Sequence, residues 1–269
     1  METGLKEKCV EVFRRIRESR PLVHHITNLV VTNDNANTML AIGALPVMAY
    51  AEEEVEEMVA HSQALVLNIG TLTREVVRSA ILAGKRANAL GIPVVFDPVG
   101  AGATAFRTES ARTILQEVKV AVVRGNAAEI AALLGRETRI RGVESSGEIP
   151  DSFHLAREAG KILGTTVAVT GKIDYVSDGE RTTMIQNGDF LLTRVTGTGC
   201  MTTSLCGACV AVEKDALLAA SAALGFLGVC AEIAASSSRG PGSFRYTLFD
   251  VMYSLTEGEF VQRLRVEVI

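Results

Sequence analysis

The sequence predicts an α/β protein built on a mostly parallel sheet with helices on both faces. Three observations predict it. Short apolar runs alternate with segments of helical periodicity, the pattern of βαβ units. Those runs are apolar throughout, so the strands are buried on both sides. They also end in glycine, asparagine, aspartate or threonine, as strands do at the carboxyl edge where open α/β sheets bind ligands.

The elements follow in chain order. Residues 1–20 place Leu5, Cys9, Val12, Phe13 and Ile16 at helical spacing and hold no apolar run of signal length. A strand is expected over 64–69, ending at Gly70-Thr71, then a helix over 73–90 stopped by Gly91. The next strand, 92–96, ends at Asp97-Pro98. A helix over 111–117 leads to a strand over 118–123 that ends at Arg124-Gly-Asn126. Asn126 caps a helix over 127–134, and Gly135 stops it. A helix over 154–163 precedes a strand over 165–169. Residues 174–177 and 181–186, about a turn at 178–180, read as a small β-hairpin. Two apolar helices, 200–212 and 215–235, follow a glycine-rich run, and a last helix is expected over 248–259. Residues 142–152 and 239–243 read as loops. No Pro/Ser-rich linker or repeat divides the chain, so 1–269 is expected to be a single α/β domain.

Composition narrows the function. Apolar residues make up 48% and charged residues 22%, ordinary for a globular protein. The net charge is −4 and no Lys/Arg run exceeds two residues, so a nucleic-acid groove is not expected. The longest apolar stretch, 216–231, falls short of the ~20 residues of a membrane span and reads as a buried helix. The five cysteines (Cys9, Cys200, Cys206, Cys209, Cys230) make no disulfide framework and no paired zinc motif, so a reducing cytoplasm is the expected compartment. Cys206 and Cys209 have redox-motif spacing, but nothing beside them supports that chemistry.

Three strand-end elements carry chemistry. Val195-Thr196-Gly197-Thr198-Gly199-Cys200 runs straight into a helix. Its glycines let amides turn toward one point, and the helix start adds unpaired N–H groups that bind an anion. A thiol at a helix start is expected to have a lowered pKa, which singles out Cys200. The same glycines also suit a turn that only permits tight packing, and no Walker Gly-Lys-Ser/Thr follows. Asp97-Pro-Val-Gly-Ala-Gly102 suits a metal or phosphate, or simply an Asx turn. In Arg124-Gly-Asn-Ala-Ala-Glu129, Glu129 suits Mg²⁺ through water, or merely the helix dipole. Together the three supply two carboxylates, an arginine and an N–H nest, which phosphoryl transfer requires.

These residues resemble the hydroxyethylthiazole kinase family of the ribokinase-like superfamily over nearly the whole chain. The motifs are His24-His-Ile-Thr-Asn28, Gly43-Ala-Leu-Pro-Val-Met48, Leu67-Asn-Ile-Gly-Thr71, Asp97 to Gly102, Arg124 to Glu129, Ala168-Val-Thr-Gly171 and Thr196 to Cys200. The resemblance implies ATP-dependent phosphorylation of the primary hydroxyl of 4-methyl-5-(2-hydroxyethyl)thiazole for thiamine salvage, with Mg²⁺ required. It implies thiazole contacts at Met48, Gly197 and Asn28, and ATP contacts at Arg124, Thr170, Thr198 and Gly199. It places Asp97 and Glu129 on the Mg²⁺ side. It further implies a homotrimer whose thiazole pocket is shared between subunits. Many ribokinase-like enzymes have Asp where this chain has Cys200, which is therefore the expected catalytic base.

The remaining polar signals read as structural. His24 and His25 lack a third ligand at useful spacing, so hydrogen bonding and packing are expected of them. His61 and His154 carry no signal, Met39 and Met58 read as core, and the acidic run 52–57 reads as a solvated helix start. Three other functions suit the same fold: an ATP-using hydro-lyase acting on hydrated nicotinamide cofactors, a kinase for the pyrimidine half of thiamine or for pyridoxal, and a non-catalytic nucleotide-binding module.

Overall fold

The computed structural model describes residues 3–136, 140–141, 144–145 and 151–269. The first half contains α1 (Thr3–Ser19), β1 (Leu22–Ile26), α2 (Thr32–Ala41), β2 (Leu45–Met48), α3 (Val55–Ala60), β3 (Ala64–Asn68), α4 (Arg74–Leu90), β4 (Val94–Asp97), α5 (Ala105–Glu117), β5 (Val122–Asn126) and α6 (Ala127–Leu133). After the short β6 (Ile140–Arg141) and β7 (Glu144–Ser145) come α7 (Ser152–Leu163), β8 (Thr166–Thr170), β9 (Asp174–Ser177) and β10 (Thr182–Ile185). A 3₁₀ turn (Phe190–Arg194) leads to α8 (Thr198–Val212), α9 (Ala216–Ser237), α10 (Pro241–Ser254), α11 (Glu257–Arg263) and β11 (Val266–Val268).

Nine strands form one sheet in the order β11-β10-β9-β8-β5-β4-β3-β1-β2. The strands from β2 to β8 pair in parallel, and β8 to β11 pair antiparallel. Alternate strand residues feed two cores. Val23, Val66, Val95 and Val122 pack under α1, α2, α8, α9 and α10. Ile26, Leu65, Leu67, Phe96 and Val123 pack under α3 to α7. The chain leaves β1 toward α2 on the first face and leaves β3 toward α4 on the second. That divergence opens a crevice beyond the carboxyl ends of two neighbouring strands, the usual ligand position in such sheets.

Most expected elements are present, with local differences. The helix expected over 111–117 begins at Ala105, because the Thr104 side chain caps it by accepting from Arg107 N–H. The strands expected over 92–96 and 118–123 begin later, so Arg124 to Asn126 belong to β5 itself. The helix expected over 248–259 is a correction: α10 ends at Ser254, and Thr256 with Glu259 forms a capping box that restarts the chain as α11. Apolar periodicity runs through this break and conceals it. Residues 239–243 are corrected too, since Pro241 opens α10. Strands β1, β2 and β11 and helix α2 are additional to the sequence reading. The loop expected over 142–152 lies outside the described residues except at 144–145, which form β7, and at 151–152, where Asp151 caps α7.

Helix α9 is long and apolar enough to cross a membrane, yet 78% of its most apolar window is buried inside the fold. Phe226 of α9 stacks on Phe13 of α1 at 3.9 Å, and Phe260 meets both rings edge-on. His24 and His25 are buried, and their rings bond the Ala49 and Val23 carbonyls at 2.8 and 3.0 Å. Burial lowers both pKa values, His25 to about 4, so both are neutral packing residues. Met39 is core, whereas Met58 is half-buried. Phe226→Ala should empty the aromatic cluster and cost about 3–5 kcal/mol, read by urea unfolding.

Candidate active site

The parallel strands β3, β4, β5 and β8 each end in a polar residue, and the sheet brings these ends together. Asn68 and Asp97 are register partners on β3 and β4, and Asn126 and Thr170 are partners on β5 and β8. Asn28 lies two residues beyond the end of β1, and its side chain reaches Asn68 at the end of β3. Its amide nitrogen donates to Asn68 Oδ1 at 2.9 Å and to Cys200 Sγ at 3.3 Å. Asn68 Nδ2 donates to Asp97 Oδ2 at 3.1 Å and to the same sulfur at 3.3 Å. Thr203, one turn beyond Cys200 on α8, donates its hydroxyl to Asp97 Oδ2 at 2.7 Å.

The start of α8 lies over this cluster. Gly197 holds φ at 88°, a left-handed value that suits glycine, and reverses the chain into the helix. The first helical bond runs from Met201 N–H to Gly197 O, so the amides of Thr198, Gly199 and Cys200 have no helical acceptor. Such a helix start attracts an anion. Arg124 lies against it: a Cβ on Gly199 would come within 2.6 Å of Arg124 Nη1. Arg124 also donates to Thr170 Oγ1 at 2.7 Å and faces Asp97 Oδ2 at 3.8 Å. This combination of free amides and guanidinium is the feature most suited to phosphate.

Glu129 is buried at the first turn of α6. Its Oε2 accepts from Asn126 N–H at 2.8 Å within a capping box. Its Oε1 accepts from Gly100 N–H at 2.8 Å, which ties the loop after β4 to β5. Arg107 closes the other side of that loop by donating to the carbonyls of Val99, Ile69 and Gly70 at 2.8–2.9 Å. Asp97 Oδ1 is buried without a protein partner. Burial raises the Asp97 pKa to about 7, against the pull of Arg124.

The structure brings together Asn28, Asp97, Arg124, Glu129, Thr170, Gly197, Thr198, Gly199 and Cys200 around the carboxyl edge. Met48 ends the edge strand β2 on the same side, at the margin of the cluster. The hydroxyl of Thr198 bonds Leu192 O at 2.8 Å, so that side chain tethers the 3₁₀ turn to α8. One expectation is corrected: the Cys200 thiol is pushed up to about 11, not lowered. Burial is the main cause and the charge of Asp97 adds to it, outweighing the two asparagine donors and Arg124. Asn68, Thr203 and Arg107 are further members that the sequence reading did not select. Asn68 carried the signal that marked Asp97, a polar residue closing an apolar strand. Thr203 is at helical spacing from Cys200, whereas nothing in the sequence distinguishes Arg107.

Comparison with known proteins bears on this geometry. Residues 13–258 match the model of the hydroxyethylthiazole kinase family. The chain is 52% identical over 256 residues to a hydroxyethylthiazole kinase of Moorella thermoacetica, covering 95% of this chain and 96% of that one. A solved structure of hydroxyethylthiazole kinase from Pyrococcus horikoshii superposes with a TM-score of 0.90 at 48% identity, over 97% of this chain and 98% of that one. Pyridoxal kinase from Staphylococcus aureus, in complex with AMP-PCP and pyridoxal, shares the fold at 17% identity with a TM-score of 0.64, over 93% and 98% of the two chains.

Cys200 is half-buried, whereas the other four cysteines are buried. Iodoacetamide should therefore label Cys200 alone. The thiolate is the reactive form and the pKa is raised, so labelling should be slow at pH 7 and accelerate about tenfold per pH unit toward pH 10. Fast labelling at pH 7 that changes little with pH would contradict the raised value.

Proposed function

The chain belongs to the hydroxyethylthiazole kinase family and is a phosphotransferase, and we propose that it transfers the γ-phosphoryl group of ATP to the primary hydroxyl of 4-methyl-5-(2-hydroxyethyl)thiazole, in thiamine salvage. The observation that carries the site assignment is the free N–H start of α8, packed on Arg124, with Cys200 on the cluster side. In this reading the amides of Thr198 and Gly199, with Arg124 and Thr170, hold the phosphates. Asn28, Met48 and Gly197 border the thiazole. Cys200 meets the hydroxyl. The alcohol oxygen bonds the γ-phosphorus as the bond to the β–γ bridging oxygen breaks. The alcohol proton passes to Cys200 in its minor thiolate form, which the Asn28 and Asn68 amides and Arg124 favour against burial, and ADP leaves with the bridging oxygen. Phosphoryl transfer depends chiefly on positioning and electrostatics, so the proton can leave late.

The residues fit a hydrated Mg²⁺. Asp97 Oδ1 is a buried acceptor with no protein donor. Each Glu129 oxygen accepts one backbone N–H, which fixes the carboxylate and leaves lone pairs. Two carboxylates suit an ion that keeps waters and takes phosphate oxygens. Asp97 and Glu129 would hold it, and the ion would neutralise phosphate charge.

The reading includes a single domain over 1–269, a cytoplasmic location and a homotrimer whose neighbouring subunit closes the thiazole pocket. Free cysteines throughout support the reducing compartment. Leu29 and Val30, directly after Asn28, are 75% and 66% exposed, which supports a subunit contact beside the pocket.

ADP release that requires the thiazole alcohol tests the reaction. Release driven by hydrated NADH instead would replace it with the hydro-lyase reading. Cys200→Ala should lower kcat roughly 10²–10⁴-fold with ATP binding retained, and a loss below about threefold would remove Cys200 as base. Asp97→Asn should raise the Mg²⁺ needed for half-maximal rate by about tenfold or more in a magnesium titration.

A further inference from the structure

We propose that Asn68 is the positioning residue that fixes Cys200 toward the substrate hydroxyl and joins it to Asp97 through one side-chain amide. The inference rests on Cys200 being the proton acceptor. Asn68 closes β3 and is almost wholly buried. Its oxygen accepts from Gly70 N–H at 2.9 Å and from Asn28 Nδ2 at 2.9 Å. Its two N–H bonds go to Asp97 Oδ2 and Cys200 Sγ. All four hydrogen-bonding positions of the amide are therefore used.

That set admits one orientation. A backbone N–H can only donate, so the Gly70 amide requires the Asn68 oxygen on its side. Turning the side chain over would face N–H against N–H and take one donor from both the sulfur and the carboxylate, leaving only Asn28 on the sulfur and Thr203 on Asp97 Oδ2. In a buried site an unpaired polar group is costly, so the amide cannot adapt. Asn28 reinforces the arrangement, because its own two N–H bonds go to Asn68 Oδ1 and to Cys200 Sγ.

The consequence is chemical. Two fixed N–H groups converge on one sulfur, so a thiol proton must point away from both. They also favour negative charge on the sulfur as it forms, since hydrogen bonds to charged acceptors are the stronger ones. Asp97 is the register partner of Asn68 on β4, so the same amide bridges the carboxylate and the sulfur.

Asn68→Asp and Asn68→Ala test the proposal. The aspartate keeps the shape but replaces the donor to sulfur with an acceptor. Each variant should lower kcat about 10- to 100-fold, aspartate more than alanine, with KM for ATP within about twofold of the parent. The rise of Cys200 labelling by iodoacetamide should move to higher pH in both, which a purely structural role would not produce. Wild-type kcat with an unchanged labelling profile in Asn68→Asp overturns the proposal, and so does labelling that moves to lower pH. Should Asn68→Ala unfold, labelling of all five cysteines reveals it, and the isosteric Asn68→Asp decides alone. Cys200→Ala run in parallel separates the two readings. If that variant keeps its rate, the base assignment fails; if it loses rate while the Asn68 variants do not, only the present inference fails.

Discussion

Everything at this site depends on how closely α8 approaches the sheet. A Cβ on Gly207 would come within 2.4 Å of Val66 Cγ2, so the middle of the helix rests directly on β3. Residues Met201 to Val210 are all buried, which leaves the helix no freedom to shift. Its first turn is therefore held above the strand ends, with Cys200 and Thr203 within hydrogen-bonding reach of Asn28, Asn68 and Asp97. A larger residue at Gly207 would lift the helix and separate the sulfur from its amide donors.

The same closeness creates an electrostatic conflict. Asp97 and Cys200 are removed from water beside one arginine, and burial raises both pKa values. Hydrogen bonds from Asn68, Asn28 and Thr203 compensate in part. The cluster thus favours neutral groups until positive charge or fixed dipoles support their anions. A site that handles phosphate and a departing alcohol proton gains from this arrangement. Its charges are not already satisfied by the protein.

Much of the fold was legible because fully buried parallel strands leave continuous apolar runs, and their ends leave polar residues. Asp97 and Arg124 were readable on that basis; Cys200 was marked instead by the glycine-rich run before its helix, which follows a 3₁₀ turn and not the strand end that the sequence suggested. The runs in β1 and β2 were obscured by His24, His25 and Pro46, whose burial depends on partners far along the chain. The break at Leu255 was hidden by apolar residues on both sides of it. The Cys200 titration was misread because the helix start is a local feature, whereas the buried neighbours and Asp97 that oppose it come from other elements. Arg107 was silent for a similar reason: its three carbonyl acceptors lie on two loops that only the fold brings together.

The most direct test is a crystal structure with the thiazole alcohol and a non-hydrolysable ATP analogue bound together. The account predicts the terminal phosphate on the Thr198, Gly199 and Cys200 amides and the substrate hydroxyl within hydrogen-bond distance of Cys200 Sγ. A hydroxyl directed away from that sulfur, or phosphates seated elsewhere while the helix start packs against apolar side chains, would contradict it.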